Sequence, residues 1–125
     1  MKLWLIVAAA CAVLGLARAP QLPRPGTVYR RSATAYCETG ITRSGEPTRR
    51  GIVAADPRLL PLGTVIRVEG LAARRDGVYT VTDTGRDIKG REIDIFIPNC
   101  STAERFGRQT ARVRVLRRAK VPTVR

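Results

Sequence analysis

Short stretches of alternating apolar and polar residues recur along this sequence, and turn-forming residues close each one. This pattern begins at Ser32, and Gly, Pro or Asp interrupts each stretch before it could make a helix of ordinary length. Such runs have the length and composition of β-strands, in which neighbouring side chains face opposite sides of a sheet. These stretches are SATAYC, GTVIRVEG, GVYTVTD, REIDIFI and ARVRVLRR, and GIVAAD is a brief apolar run closed by a turn at Asp56-Pro57. The pattern therefore predicts about six short strands.

A single helix is predicted, between the last two strands. Ser101 to Glu104 fits a capping box, in which the serine and glutamate side chains bond to free backbone N–H groups. Gly107 would end this helix after about two turns. Six short strands with one short helix predict an all-β domain, a small closed barrel, because closure leaves no strand edge exposed.

The first nineteen residues differ from the rest of the chain. Lys2 precedes an apolar run from Leu3 to Leu16, and Ala17 to Ala19 supplies small residues near a cleavage site. Residues 1–19 are therefore predicted to be a secretory signal peptide, with a retained anchor and a lipoprotein signal at Cys11 as alternatives. The remaining boundaries follow from composition: a proline- and arginine-rich linker over 20–31, the barrel over 32–118 and a tail over 119–125.

The cysteines indicate an oxidising compartment. Cleavage of the signal would remove Cys11 and leave Cys37 and Cys100. A disulfide between them is the simplest prediction for an exported protein, and two separate buried thiols are the alternative. Export would place the protein outside the cell, in the periplasm or in the cell envelope.

The chain is strongly basic, with a formal net charge of +13. Such a surface favours polyanions. Nucleic acid is a poor candidate partner because the arginines are scattered and aromatic residues for base stacking are scarce. Anionic polymers of the cell envelope fit an exported protein better. Arginine that serves only to keep the surface soluble is the alternative interpretation.

The absence of histidine restricts the possible chemistry. It excludes catalytic triads that depend on histidine, and two cysteines alone make a poor zinc site. The acidic residues also lack the spacing of an EF-hand calcium loop. Carboxylates remain as acid–base groups, and four of them lie in TDTGRDIKGREIDIF, residues 82–96. Carboxylate chemistry in an exported domain favours cleavage of glycosidic bonds without a metal or organic cofactor.

Asp94 is the most suggestive of these carboxylates. It lies between Ile93 and Ile95 in an apolar strand, where burial would disfavour its charged form. Asp83, one strand earlier, could raise the pKa of Asp94 further by repulsion. A raised pKa suits a general acid that works near neutral pH. The alternative is an Asp94 that faces solvent on the polar side of the strand.

Several segments together resemble a known family. ATAYC, GIVAADPRLLPLGT, GVYTVTDTGRDIKGREIDIF and AERFG occur in the order and spacing of the 3D domain, named for three aspartates. The similarity covers roughly residues 33–116 and extends to the catalytic portion of membrane-bound lytic transglycosylase A and to stationary-phase survival proteins. The resemblance implies a six-stranded double-psi β-barrel that cleaves peptidoglycan between N-acetylmuramic acid and N-acetylglucosamine, with formation of a 1,6-anhydro sugar.

The same resemblance implies roles for individual residues. The three aspartates correspond to Asp56, Asp83 and Asp94, with Asp94 as the acid–base residue, Asp83 as its neighbour and Asp56 as an organiser of the site. Positions expected to bind substrate are Tyr36, Thr42, Gly85, Lys89 and Gly90.

Two other functions remain open at this point. Related barrels resemble expansins and rare lipoprotein A, so the domain could bind wall polysaccharide without cleaving it. A polyanion-binding domain with purely structural aspartates is a more distant alternative. In each case peptidoglycan or an anionic envelope polymer is the expected partner, and a membrane would be contacted only through an uncleaved N-terminal segment.

Overall fold

The computed structural model describes residue Gly15 and residues 22–119. The predicted signal peptide, apart from Gly15, and the predicted tail beyond Ala119 lie outside the described residues. No helix among the described residues has the length and apolar character needed to cross a membrane.

The described part of the chain folds into six strands and one short helix. The elements are β1 (Val28–Tyr36), β2 (Ile52–Ala55), β3 (Val65–Glu69), β4 (Gly77–Asp83), β5 (Glu92–Phe96), α1 (Cys100–Phe106) and β6 (Gln109–Arg117). The order along the chain is the predicted one. Each strand overlaps one of the predicted stretches. In β3, β5 and β6 the alternation places one row of side chains in the core, whereas all four residues of β2 are buried.

The strands close into a barrel in the order β1-β5-β2-β4-β3-β6. Two neighbouring pairs, β1 with β5 and β2 with β4, run parallel. The other four pairs are antiparallel. This arrangement confirms the predicted six-stranded double-psi barrel with one short helix. Strands adjacent in the sequence are often not adjacent in the barrel, so the β2, β4 and β5 side chains of the site come from separate segments.

Aliphatic side chains fill the interior of the barrel. Ile93 and Ile95 of β5 are almost completely buried, as are Val113 and Val115 of β6. The intervening residues of both strands face outwards. Burial of such side chains contributes roughly 1.5–3 kcal/mol each, which makes the barrel a rigid support for its outward-facing residues.

The first strand begins earlier than the sequence analysis predicted. β1 starts at Val28, so residues 28–31 of the predicted linker belong to the barrel. They do so because this segment pairs with β6, with Val28 opposite Arg114. Proline and arginine content indicated a linker, but pairing with a distant strand determines the conformation here.

The helix is capped by a different residue from the one predicted. Asn99 is the N-cap, and its side chain accepts a hydrogen bond from the backbone N–H of Thr102 at 2.9 Å. Ser101 instead lies inside the helix, where its hydroxyl accepts a bond from Arg105. Gly107 ends the helix as predicted.

A disulfide joins Cys37 to Cys100, with 5.1 Å between their Cα atoms. It links the residue that follows β1 to the first residue of α1. The predicted pairing is confirmed. The bond therefore holds the start of the loop after β1 against the helix.

Candidate active site

Four neighbouring strands align two aspartates on the outer face of the barrel. Ala54 of β2 lies opposite Asp94 of β5 on one side and opposite Asp83 of β4 on the other. Asp94 lies in turn opposite Thr34 of β1. Because residues directly opposite each other share a face of the sheet, the order across the wall is Asp83, Ala54, Asp94, Thr34. The two aspartate Cα atoms are about 10 Å apart, two strand spacings, and the small Ala54 side chain leaves open space between them.

An irregularity in β4 turns Asp83 towards this face. Val53 pairs with Val81, but the next residue of β2, Ala54, pairs with Asp83 rather than with Thr82. One extra residue in β4 is a β-bulge, which re-aims the side chains that follow it. In a regular strand Asp83 would share the inward face of Val81. The bulge therefore brings the second aspartate into the same row as Asp94.

Asp94 is half-buried and keeps its proton more tightly than an ordinary aspartic acid. Burial is the main cause of its raised pKa, and the negative charges of Glu38 and Glu92 raise it further. The Thr34 hydroxyl donates a hydrogen bond to Asp94 Oδ1 at 2.9 Å, which acts in the opposite direction. The repulsion expected from Asp83 is not among the causes of this shift. Thr34 fixes the carboxyl group while burial sets its affinity for the proton.

Asp83 anchors the two loops that border the site. Its Oδ1 atom accepts hydrogen bonds from the backbone N–H of Arg43 at 3.1 Å and of Thr84 at 2.9 Å. Arg43 belongs to the loop after β1, whereas Thr84 begins the loop after β4. Asp83 thus forms a turn, as its sequence context suggested, and also ties one loop to the other.

Tyr36 at the end of β1 lies close to both aspartates. Burial raises the pKa of its hydroxyl, and the negative charges of Asp83 and Asp94 raise it further. The hydroxyl is buried, yet it has no hydrogen-bond partner among the residues that the structure describes. The ring packs against Phe96, with 5.4 Å between the ring centroids. An unpartnered hydroxyl is unusual for a buried polar group, and this one lies near two carboxylates.

The space above Ala54 is a cleft of about 310 Å³. Its lining combines the row residues Ala54, Asp83 and Asp94 with two loops, and comprises Tyr36, Glu38, Thr39, Gly40, Ile41, Thr48, Ala54, Asp83, Thr84, Gly85, Ile88 and Asp94. Gly85 is needed for close packing in the second loop, because a Cβ atom there would lie 2.7 Å from Ile88 Cγ1. The cleft has the polar and apolar lining typical of a small ligand site.

Asp56 lies outside the cleft. Its buried carboxylate accepts bonds from the Arg58 side chain and from the backbone N–H of Arg58 and Gly90. The Arg58 interaction, followed by the Gly90 bond, holds the pKa of Asp56 well below its usual range. The carbonyl of Gly90 accepts a further bond from the buried Arg31 side chain at 3.0 Å. Asp56 therefore fastens the end of the loop that carries Gly85.

The predicted substrate-binding residues fall into two groups. Tyr36 and Gly85 line the cleft, whereas Thr42, Lys89 and Gly90 are not part of its lining. The Thr42 hydroxyl is buried and bonds to the backbone carbonyl of Glu46, which shapes the first loop. Lys89 is exposed. Within residues 22–119 no three His, Cys, Asp or Glu side chains are grouped to hold a metal ion.

Several residues of the site were not predicted from the sequence. Thr34 could have been found, since it shares the outward face of β1 with Tyr36, two residues later. Ala54, Glu38 and Ile41 gave no such signal. Their position in the cleft depends on the barrel order and on the path of the loop after β1.

Comparison with known sequences identifies the family. The model of the 3D domain matches residues 51–117. The chain is 36% identical over 101 residues to the "Putative cell wall shaping protein YabE" of Bacillus subtilis, which covers 73% of this chain and 23% of that protein. It is 41% identical over 78 residues to the "Cell wall-binding protein YocH" of the same organism, and this match covers 62% of this chain and 25% of that protein. The match thus spans about a quarter of each relative.

Comparison with solved structures agrees with the fold. The crystal structure of MltA from E. coli with bound chitohexaose superposes with a TM-score of 0.54 at 25% identity. The match covers 66% of this chain and 29% of that protein. MltA is described as a lytic transglycosylase. The barrel, the order of its strands and the sequence match over residues 51–117 lead to one conclusion: this chain belongs to the 3D domain family.

Proposed function

We propose that this protein is a lytic transglycosylase that cleaves peptidoglycan glycan strands between N-acetylmuramic acid and N-acetylglucosamine. One observation carries the proposal: the half-buried Asp94 carboxyl, with its raised pKa, opens into a cleft on the barrel wall. A carboxylic acid that remains protonated above its ordinary pKa can act as a general acid. The fold shared with a protein that binds chitohexaose, a related glycan, supports a glycan in this cleft.

A single acid–base residue is sufficient for the reaction. Thr34 occupies Asp94 Oδ1, which leaves Oδ2 to donate its proton to the glycosidic oxygen as the C1–O bond breaks. The 6-hydroxyl oxygen of the same muramic acid then attacks C1, and Asp94 takes up its proton. The products are a glycan end with a free 4-hydroxyl group and a 1,6-anhydro sugar. Attack within one ring needs no second carboxylate to activate water, and its entropic cost is small.

Two neighbours have supporting roles in this proposal. Tyr36 lines the cleft together with Asp94 and would contact the sugar there. Asp83 holds both loops in place through its bonds to Arg43 and Thr84. Its role is therefore positioning rather than proton transfer.

The test is digestion of purified peptidoglycan, followed by mass spectrometry of the soluble products. We expect 1,6-anhydro muropeptides from the unaltered protein and a loss of about 10²–10⁴ in rate in Asp94→Asn, the typical contribution of a general acid. Asp87→Asn is the matched control, because it makes the same chemical change at an exposed residue that does not line the cleft. The control should digest peptidoglycan at the rate of the unaltered protein.

Two results would overturn the proposal. Products with reducing ends and no anhydro sugar would mean that water, not the 6-hydroxyl, attacks C1. Equal activity in Asp94→Asn and in the unaltered protein would mean that Asp94 does not transfer the proton. Circular dichroism of both variants ensures that a loss of activity does not come from misfolding.

A wall-binding module without catalysis is the second candidate. The name of the relative YocH, a cell wall-binding protein, favours it. So does the small volume of the cleft, since one barrel wall and two loops form all of it. In this case folded protein would bind insoluble peptidoglycan and release no muropeptides, and Asp94→Asn would bind as tightly as the unaltered protein.

A further inference from the structure

The wall of the barrel opposite the cleft carries a group of exposed arginines. In the closed order β1-β5-β2-β4-β3-β6, the strand β6 is three places from β2, the strand beneath the cleft. Outward-facing arginines lie on β6 and on both of its neighbours, and all of them are exposed. They form what we call the β6 arginine face: Arg30, Arg67, Arg112, Arg114 and Arg117.

The strand register places like charges directly against one another on this face. Arg30 of β1 lies opposite Arg112 of β6, and Arg67 of β3 lies opposite Arg114 of β6. Directly opposed side chains are about 5 Å apart at Cβ, and like charges in such pairs destabilise a sheet. The fold therefore gains nothing from these pairs, and an external anion would relieve their repulsion.

The face has little internal neutralisation. Glu69 pairs with Arg112 at 3.2 Å, but the Arg112 side chain is largely exposed and that of Glu69 is partly exposed, so the pair is weak. Among residues 22–119, the other four arginines of the face have no carboxylate at salt-bridge distance. Asp76, at the edge near Arg67, already accepts a bond from the backbone of Leu71 at 2.7 Å. The face retains a clear positive charge.

The arginines follow the direction of β6, which suits an extended ligand. Arg112 and Arg114 are two residues apart on one face of a strand, a repeat of about 6.7 Å. Beyond them, Arg117 borders a concavity of about 360 Å³ that is also lined by Arg118 and Thr80. A linear polymer with regularly repeated negative groups could contact these residues in succession.

The chemistry of the face selects one class of polyanion. The guanidinium group forms paired hydrogen bonds with phosphate oxygens, which favours a phosphodiester backbone. Single-stranded nucleic acid would need aromatic side chains for stacking, and this face has no exposed aromatic residue among those described. The exposed apolar side chains at its margins, Val28, Val78 and Leu116, include no Trp or Phe of the kind that inserts into a bilayer.

We propose that the β6 arginine face binds an extended phosphodiester polymer of the cell wall, while the opposite wall of the barrel stays free for a glycan strand. The location in the wall rests on the proposed function, whereas the charge and geometry of the face do not. The protein would thus hold two wall polymers at once, on opposite sides of a rigid barrel.

Binding to fluorescently labelled poly(glycerol phosphate), free of peptidoglycan, tests this proposal by titration at several salt concentrations. The variant Arg30→Gln/Arg67→Gln/Arg114→Gln removes three charges from the face. The control Arg50→Gln/Arg86→Gln/Arg105→Gln removes three exposed charges elsewhere. We expect the first variant to bind at least about tenfold more weakly, with a salt dependence of log K reduced by about 2, and the control to bind nearly as the unaltered protein does.

Three results would overturn the proposal. The first is unchanged polymer binding by the variant of the β6 arginine face. The second is an equal loss of affinity in the control variant, which would indicate a response to net charge alone. The third is binding of phosphatidylglycerol vesicles or single-stranded DNA as tight as that of the polymer. The Asp94→Asn variant must bind the polymer normally. Polymer binding without anhydro products would therefore reject the proposed reaction but support polymer binding by the β6 arginine face. Anhydro products without polymer binding would support the reaction and reject polymer binding by this face.

Discussion

The disulfide should supply a large part of the stability of this small barrel. The bond joins Cys37 and Cys100, which are 63 residues apart in the sequence. In the chain-entropy model, closing a loop of this length lowers the entropy of the unfolded chain by about 14 cal/mol/K, or about 4 kcal/mol at 25 °C. Small domains are stable by only about 5–15 kcal/mol, so the loss of this bond should be conspicuous.

Urea unfolding of the unaltered protein and of Cys37→Ser/Cys100→Ser measures this contribution. With a typical slope of about 1.5 kcal/mol/M, a loss of about 4 kcal/mol would lower the midpoint by about 2–3 M. The unaltered protein in a strong reductant is the control for packing changes caused by serine, and its midpoint should fall by a similar amount.

If the urea midpoint of the reduced protein lies within about 0.5 M of the midpoint of the oxidised protein, this reasoning is refuted, because the expected shift is several times larger. It would mean that the reduced, unfolded chain keeps enough structure to hold these segments together.

Reduction of the disulfide should also affect the cleft. Tyr36 and Glu38, on either side of Cys37, both line it, so reduction should also speed amide hydrogen exchange in the loop after β1.

The pKa of Asp94 is raised in the folded protein, so its contribution to stability is present at low pH and is lost as the pH rises from 3.8, the ordinary pKa of the group, through the folded pKa. The Tm of Asp94→Asn relative to that of the unaltered protein should therefore increase from pH 3 to pH 7. A constant difference in Tm would contradict the raised pKa. The activity should fall on the alkaline side through the same ionisation. Gly85→Ala should lower the free energy of unfolding by about 1–3 kcal/mol and reduce activity, because Ile88 must move. Gly40→Ala is the control and should change stability little, because the space around Gly40 is open. Equal effects of the two substitutions in a urea titration would argue against close packing at Gly85. Asp56→Ala should lower the free energy of unfolding by about 1–3 kcal/mol, because the N–H of Gly90 loses its acceptor. Since the pKa of Asp56 is lowered in the folded protein, this loss should become smaller as the pH falls below the ordinary range for aspartate. A loss that does not vary between pH 2 and pH 7 would contradict the stabilising role of the Asp56 carboxylate.

Some features of the site could be predicted from local sequence and others could not. Asp94 was predicted as a site residue because Ile93 and Ile95 fix its face in the strand. The disulfide was predicted because only two cysteines follow the predicted signal peptide. Thr34 was overlooked, although its alternation with Tyr36 was visible. Asp56 was assigned to the site, but its carboxylate is fully engaged by Arg58 and Gly90 and lies outside the cleft.

The sequence by itself determined the strands, the single helix and the resemblance to a barrel family, because alternation and turn residues act over a few neighbouring positions. Only the tertiary structure decided which aspartates share a face, since a bulge in β4 turns Asp83 into the row of Asp94. Tertiary pairing likewise placed residues 28–31 in β1 and set arginines of three strands side by side, opposite the cleft. These features depend on register between segments far apart in the chain, and no local pattern of residues specifies that register.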